Sequence, residues 1–256
     1  MKRFLILLLL SFGIINLTIA GRNNLFGWFH ITPKFGVGTS LITNGEMFKQ
    51  DGLTPGVLNL SYMFGGQLGV AFVDVFDVSF EINYNITGQR TSISMTDLGY
   101  DKYLKMSCLD YAVLFKYIGS TNYFEAGASI SNLNDVLFTN TVSNNQTSAE
   151  PVFLDNTNQF REKYNNIILG FGGTLLQVDL FEITVGIRAK YSIQPVIKDN
   201  TTLINDGIYT GNFDNSGIRN MSFLIELNIH NFFGFFGKSI CGGRRVILFQ
   251  KPTKLF

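Results

Sequence analysis

The chain has 256 residues, of which 14% are aromatic and only 15% charged, with 25 Phe and 26 Gly. A soluble domain carries about 25% charged residues, so this chain has apolar surface to bury but few charges to spread over a water-facing exterior. Its formal charge of +1 falls to −1 if Lys2 and Arg3 leave with a leader, which excludes a basic nucleic-acid-binding surface.

The N-terminus reads as a secretory signal peptide over residues 1–20. Lys2 and Arg3 form its positive region, Phe4 to Leu10 begin an apolar run, and Thr18-Ile19-Ala20 offers a small-residue cleavage site. The alternative is a retained membrane helix, for which the run is short. No Cys follows the site, which argues against a lipoprotein anchor, and no later run is long and apolar enough for a spanning helix.

Period-two alternation predicts eight strands: Phe29–Leu41, Leu60–Phe72, Val78–Thr87, Cys108–Tyr117, Tyr123–Ser131, Asn166–Leu175, Ile183–Tyr191 and Asn220–His230. Alternation is clean in the third, seventh and eighth; the third has Val78, Phe80, Ile82, Tyr84 and Ile86 on one face and Ser79, Glu81, Asn83, Asn85 and Thr87 on the other. Alternation is weakest in the fourth and sixth strands. Residues 73–77 fit a tight turn into the third strand, and the motif VDVFDVSFEI (73–82) returns as VDLFEITVGI (178–187), so the same hairpin is built twice.

Connections between strands two and three, four and five, and six and seven take only a few residues. The others are long and polar: Ile42–Pro55, Gly88–Lys102, Asn134–Lys163 and Ile193–Ser216. Short turns on one rim and long loops on the other is the layout of an outer-membrane barrel. The Asn-, Thr- and Ser-rich third connection is expected to be mobile.

A soluble eight-stranded barrel also alternates, with its apolar face inward, and a two-sheet sandwich is a further alternative. Volume decides between them: an eight-stranded barrel holds about a dozen packed side chains, whereas the apolar faces carry several dozen, many of them Phe or Tyr. The apolar set is therefore expected to face lipid, and the small polar face the lumen. Tyr62, Tyr84, Tyr117, Tyr191 and Trp28 are expected near strand ends, at membrane interfaces. The expected fold is all-β, an eight-stranded antiparallel transmembrane β-barrel of up-and-down topology over residues 21–233, with a basic periplasmic tail over 234–256.

The stretches KFGVGTS (34–40), GGQLGVAF (65–72) with VSFEINYNITGQ (78–89), and YLKMSCLDYAVLFKY (103–117) resemble the small PorT-like outer-membrane β-barrel family, related in architecture to OmpA- and OmpX-type barrels. The resemblance covers Pro33 to Phe233. It implies an eight-stranded antiparallel barrel and, for one member, a link to a protein-secretion apparatus; it carries over no catalytic residues.

The best-defined polar constellation is a set of lumen-facing charges: Lys34, Glu81, Asp110, Lys116, Glu125, Arg188, Lys190 and Glu226. Closure would place strand eight beside strand one, so Glu226 could pair with Arg188 or Lys34. Buried charges need partners, so a salt-bridged plug is expected, with a narrow ion path as the alternative. His30 and His230 fall on the lumen face near the periplasmic ends of strands one and eight. A metal or pH-responsive pair is one reading; with no acid or Cys at ligand spacing, interior hydrogen bonding is the expected one and no metal is assigned.

No Gly-x-Ser-x-Gly elbow or phosphate loop occurs, so neither enzyme activity nor a cofactor is expected. The tail holds Lys238, Arg244, Arg245, Lys251 and Lys254 without an acid. It reads as a frayed extension, or as an arm on anionic lipid or a periplasmic partner, with residues 246–249 adding a strand. Cys108 and Cys241 are expected to be unpaired thiols.

The expected role is a non-enzymatic outer-membrane barrel of a Gram-negative-type bacterium, structural or binding, or an accessory subunit of an envelope or secretion complex. Expected partners are outer-membrane lipid and lipopolysaccharide, the barrel-insertion machinery during assembly, and a periplasmic or secretion-complex partner. Alternatives are a small-solute or ion pore and an adhesin acting through the Asn134–Lys163 loop.

Overall fold

The computed structural model describes residues 28–43, 53–55, 59–72, 75–95, 98–119, 121–143, 152–155, 160–178, 181–198, 217–234, 237–238 and 244–245. The expected signal peptide, Cys241, Lys251, Lys254 and the strand expected at 246–249 lie outside these residues.

Eight long strands form the fold: β1 Trp28–Thr43, β2 Leu60–Phe72, β3 Phe76–Met95, β4 Leu98–Ile118, β5 Asn122–Ser143, β6 Lys163–Val178, β7 Phe181–Ser192 and β8 Arg219–Gly234. Each pairs antiparallel with its sequence neighbours, and β1 pairs with β8 from Trp28↔Gly234 to Thr43↔Arg219, closing the sheet. Closure leaves no sheet edge to cover. The chain is a closed, all-antiparallel, eight-stranded β-barrel.

Alternation decides which side chains enter. Phe35, Phe64, Phe80, Phe115, Phe171 and Ile225 point outward and are exposed, while Lys34, Gln67, Glu81, Lys116, Asn166 and Glu226 on the opposite phase are buried. Polar inside and apolar outside is the reverse of a soluble barrel. The repeated motif does form equivalent hairpins: β3 begins at Phe76 and β7 at the corresponding Phe181.

The strands outrun their predicted ends. Gly88–Lys102, expected to be a loop, is mostly ladder, because β3 and β4 stay paired up to Met95↔Leu98. Leu53–Pro55, inside another expected loop, pairs with Thr91–Ile93 of β3. Within Asn134–Lys163, expected to be mobile, β5 runs on to Ser143 and Val152–Asp155 pairs back onto it, so these residues are part of the sheet. Residues 88–102 are mostly Gly, Thr, Ser and charged or amide side chains, so they read as a polar loop although β3 and β4 stay paired through them. Tyr84, expected near a strand end, sits mid-strand in β3 against Phe64, with ring centroids 5.2 Å apart.

Two bulges adjust the wall. Ser107 pairs with Asp135 and Cys108 with Leu133, leaving Asn134 as the extra, exposed residue. On β6, Thr174 pairs with Thr184 and Leu176 with Ile183, leaving Leu175 extra.

The loop-side end of the lumen departs from the expected polar filling. Ile42, Leu104, Met106, Cys108, Val136 and Tyr164 point inward there and form one buried apolar cluster. Phe160, Val196, Ile197 and Ile218, from the connecting segments, complete it. Phe160 and Ile197 bridge, Arg161 N–H donates to Val196 O (2.9 Å) and Val196 N–H to Ile218 O (2.8 Å), fixing these segments across the mouth.

Candidate functional site

All eight predicted lumen charges are buried inside the barrel, four of each sign. Arg188 of β7 is their hub. Its Nη1 lies 2.7 Å from Glu81 Oε2 of β3, its Nη2 2.6 Å from Glu125 Oε1 of β5, and its Nε 2.8 Å from Glu226 Oε1 of β8. Lys34 of β1 joins Glu81 (2.5 Å) to Glu226 (3.3 Å), so both pairings expected for Glu226 occur. Lys116 of β4 lies 3.4 Å from Glu125 and donates to Gln67 Oε1 of β2 at 3.1 Å. Asp110 and Lys190 form a separate pair at 2.6 Å, with Ser131 Oγ donating to Asp110 at 2.5 Å and Asn166 donating to Ser131 at 2.8 Å.

The geometry follows from backbone placement. Strands on opposite sides of a narrow barrel bring long side chains together at its axis, and the planar guanidinium can meet several carboxylates at once. Small residues make the room. Gly170 faces Glu125, where a β-carbon would strike the carboxylate, and the paired Gly172 and Gly186 leave space for the Tyr123 ring. Tyr123 in turn lies under Lys116, 5.3 Å from its centroid, and accepts from Asn228 at 3.3 Å.

The histidines meet at the short-turn end, with ring centroids 5.3 Å apart. Thr32 Oγ1 lies 2.9 Å from His30 Nδ1 and 2.8 Å from His230 Nδ1. His30 Nε2 reaches Asp77 Oδ2 at 2.5 Å, and His230 Nε2 reaches Thr184 Oγ1 at 3.2 Å. With both rings neutral, the donors run one way: Thr184 to His230, His230 to Thr32, Thr32 to His30, His30 to Asp77. Asp77, expected in a turn, is instead the second residue of β3 and points inward beside His30, a neighbour that spacing along the sequence does not show. Its phase, shared with Ser79 and Glu81, was the available signal. Among the described residues no group of three or more His, Cys, Asp or Glu is arranged to hold a metal ion.

Cys108 is a buried free thiol, 3.2 Å from the Tyr164 hydroxyl. In the tail, Lys238 pairs with Arg244 and Gly237 with Arg245 in a short ladder. Filling from the turns to the loops therefore runs from a histidine chain, through a charge network, to an apolar cap.

No protein-family model matches the chain, and no curated protein matches it. Among solved structures it is similar to Neisserial surface protein A (NspA), at TM-score 0.35 and 11% identity, over 78% of this chain and 96% of that one. It is also similar to the outer membrane protein OprG from Pseudomonas aeruginosa, at TM-score 0.29 and 13% identity, over 80% of this chain and 94% of that one.

Proposed function

We propose that the protein is a non-enzymatic integral outer-membrane barrel whose filled interior serves as a rigid scaffold rather than a channel. The observation that carries this reading is the inverted distribution of side chains: Phe35, Phe64, Phe115 and Phe171 are each more than half exposed on the wall, while charges fill the centre. Exposed apolar surface on this scale favours transfer into hydrocarbon at about 25 cal/mol per Å². Closed barrels satisfy every backbone group without water, as a bilayer requires.

Two occlusions in series support the scaffold role over a pore. The Arg188-centred network crosses the lumen, and the apolar cap with Phe160 and Ile197 covers the loop-side mouth. The buried histidines are engaged with Thr32, Thr184 and Asp77, which supports a structural use. The role then lies on the rims and loops, as a binding partner or accessory subunit of an envelope or secretion complex, in keeping with the PorT-like resemblance.

Planar-bilayer recording on the refolded mature chain tests the reading. No steady conductance is expected. A reproducible open level from protein whose folding is verified by heat-modifiable gel mobility would replace the scaffold with a small-solute or ion pore.

A further inference from the structure

The ladder that shuts the barrel skips two residues. Between β1 and β8 the register passes from Ile31↔Asn231 directly to Lys34↔Asn228, omitting Thr32 and Pro33. On the other side of β1 both are paired, Thr32 with Gln67 and Pro33 with Gly66 of β2. At the same level β8 stays paired with β7 through Ile229↔Ile183 and His230↔Glu182. Among the described residues, the other ladders between the eight strands are interrupted only at the two bulges. Proline explains the gap: it has no N–H to give, and within sheets it is confined to edges and bulges. The wall is thin outside this point, since Pro33 is exposed and a β-carbon on Gly66 would meet no atom within 4 Å.

Side chains span the gap that the backbone leaves. By the register Thr32 stands opposite His230, and a side-chain hydrogen bond of 2.8 Å joins them across the seam. This bond is anchored on both sides. Thr32 also holds His30 at 2.9 Å, and His30 reaches Asp77 of β3 at 2.5 Å. His230 reaches Thr184 of β7 at 3.2 Å, and Thr184 accepts from Asn228 at 3.2 Å. Gly69 leaves room for this arrangement, because a β-carbon there would strike the His30 ring. Toward the loops, Lys34 is tied to Glu81 and Glu226, so ion pairs hold the seam where pairing resumes. Toward the turns, only the four pairs of residues 28–31 hold β1 to β8.

We infer that the chain His30, Thr32, His230 is a latch. It holds β1 on β8 where the ladder does not, and residues 28–31 are a strap that parts from β8 when the latch releases, while staying paired with β2. Local opening occurs where few backbone bonds have to break, and the gap separates this strap from the long ladder beyond it. The Arg188 network keeps the centre shut, so the opening exposes only the histidine end of the lumen at the short-turn rim. Closure of the seam is thereby controlled at one point by side chains.

Amide hydrogen exchange on the mature chain folded in detergent, read by mass spectrometry, tests the latch. In the wild type, residues 29–31 and 229–231 should exchange faster than residues 35–41 and 221–227 of the same two strands. T32V removes the hydroxyl and keeps the shape; it should speed exchange at residues 29–31 and 229–231 about tenfold, the worth of a hydrogen bond or two, and leave residues 35–41 unchanged. P33V supplies the missing N–H and should slow exchange at the strap. In T32V/P33V a completed ladder makes the latch redundant, so exchange should fall back to the P33V level, a rescue that a merely space-filling threonine would not show. Equal exchange in the two halves of the wild-type seam, a T32V seam that exchanges no faster, or one that P33V fails to restore overturns the latch. Should T32V not fold, Trp28, the single tryptophan, decides from the end of the strap. Acrylamide should quench it less in P33V than in the wild type, and equal quenching overturns the latch.

Discussion

Arg188 reaches carboxylates from three different strands, so its loss would strand Glu81, Glu125 and Glu226 close together in the lumen. Removing one partner of a buried ion pair costs about 3–5 kcal/mol. R188Q should therefore lower unfolding stability by about that amount, read from urea denaturation in detergent with Trp28, the single tryptophan, as reporter. E81Q/R188Q should lose less than the two single changes summed, because both act on one network. Tyr123 offers a second check: G186V would place side-chain atoms where its ring lies and should cost about 1–3 kcal/mol by overpacking. At this scale the sequence was informative wherever a charge sat on a clean polar phase, as with Glu81 and Arg188. Asp77 escaped because apolar Val75 and Phe76 beside it look like the tail of a turn, and its partner His30 is two strands away.

Among the elements, the β3–β4 hairpin separates what the lumen needs from what it does not. Thr91 and Lys102 are cross-strand partners, and the ladder beyond them contributes none of the lumen charges. Replacing residues 92–101 with an Asn-Gly turn, which suits a two-residue hairpin, should leave heat-modifiable folding intact. The Phe160 segment should behave differently: F160A opens a cavity in the apolar cap and should cost about 3–5 kcal/mol. The strands within the wall were legible because one face meets the lumen and the other the exterior. The β3–β4 extension was not, since its Gly, Thr, Ser and charged residues outnumber the few apolar ones, Ile93, Met95, Leu98 and Tyr100. The weak alternation of the fourth and sixth strands has a physical source, as Ala112 and Leu114 on β4 and Ile168 on β6 are apolar residues pointing inward. Nor could local periodicity foresee that Phe160 and Val196, remote in sequence, would fold over the mouth.

Taken whole, the molecule has an exterior that water solvates poorly and an interior that hydrocarbon would not tolerate. The mature chain should be monodisperse in detergent and aggregate on its removal, measured by size-exclusion chromatography with light scattering; a monodisperse barrel in plain buffer would contradict the membrane reading. The interior network has a bearing on biogenesis as well. Lys34 enters on the first strand and Glu226 on the last, so their ion pair forms only when the N- and C-terminal strands zip together. A polypeptide inserted without its final segment leaves Lys34 and Arg188 short of the carboxylate they share. Closing the ring and completing the ion-pair network are therefore one event, because the first and last strands supply both.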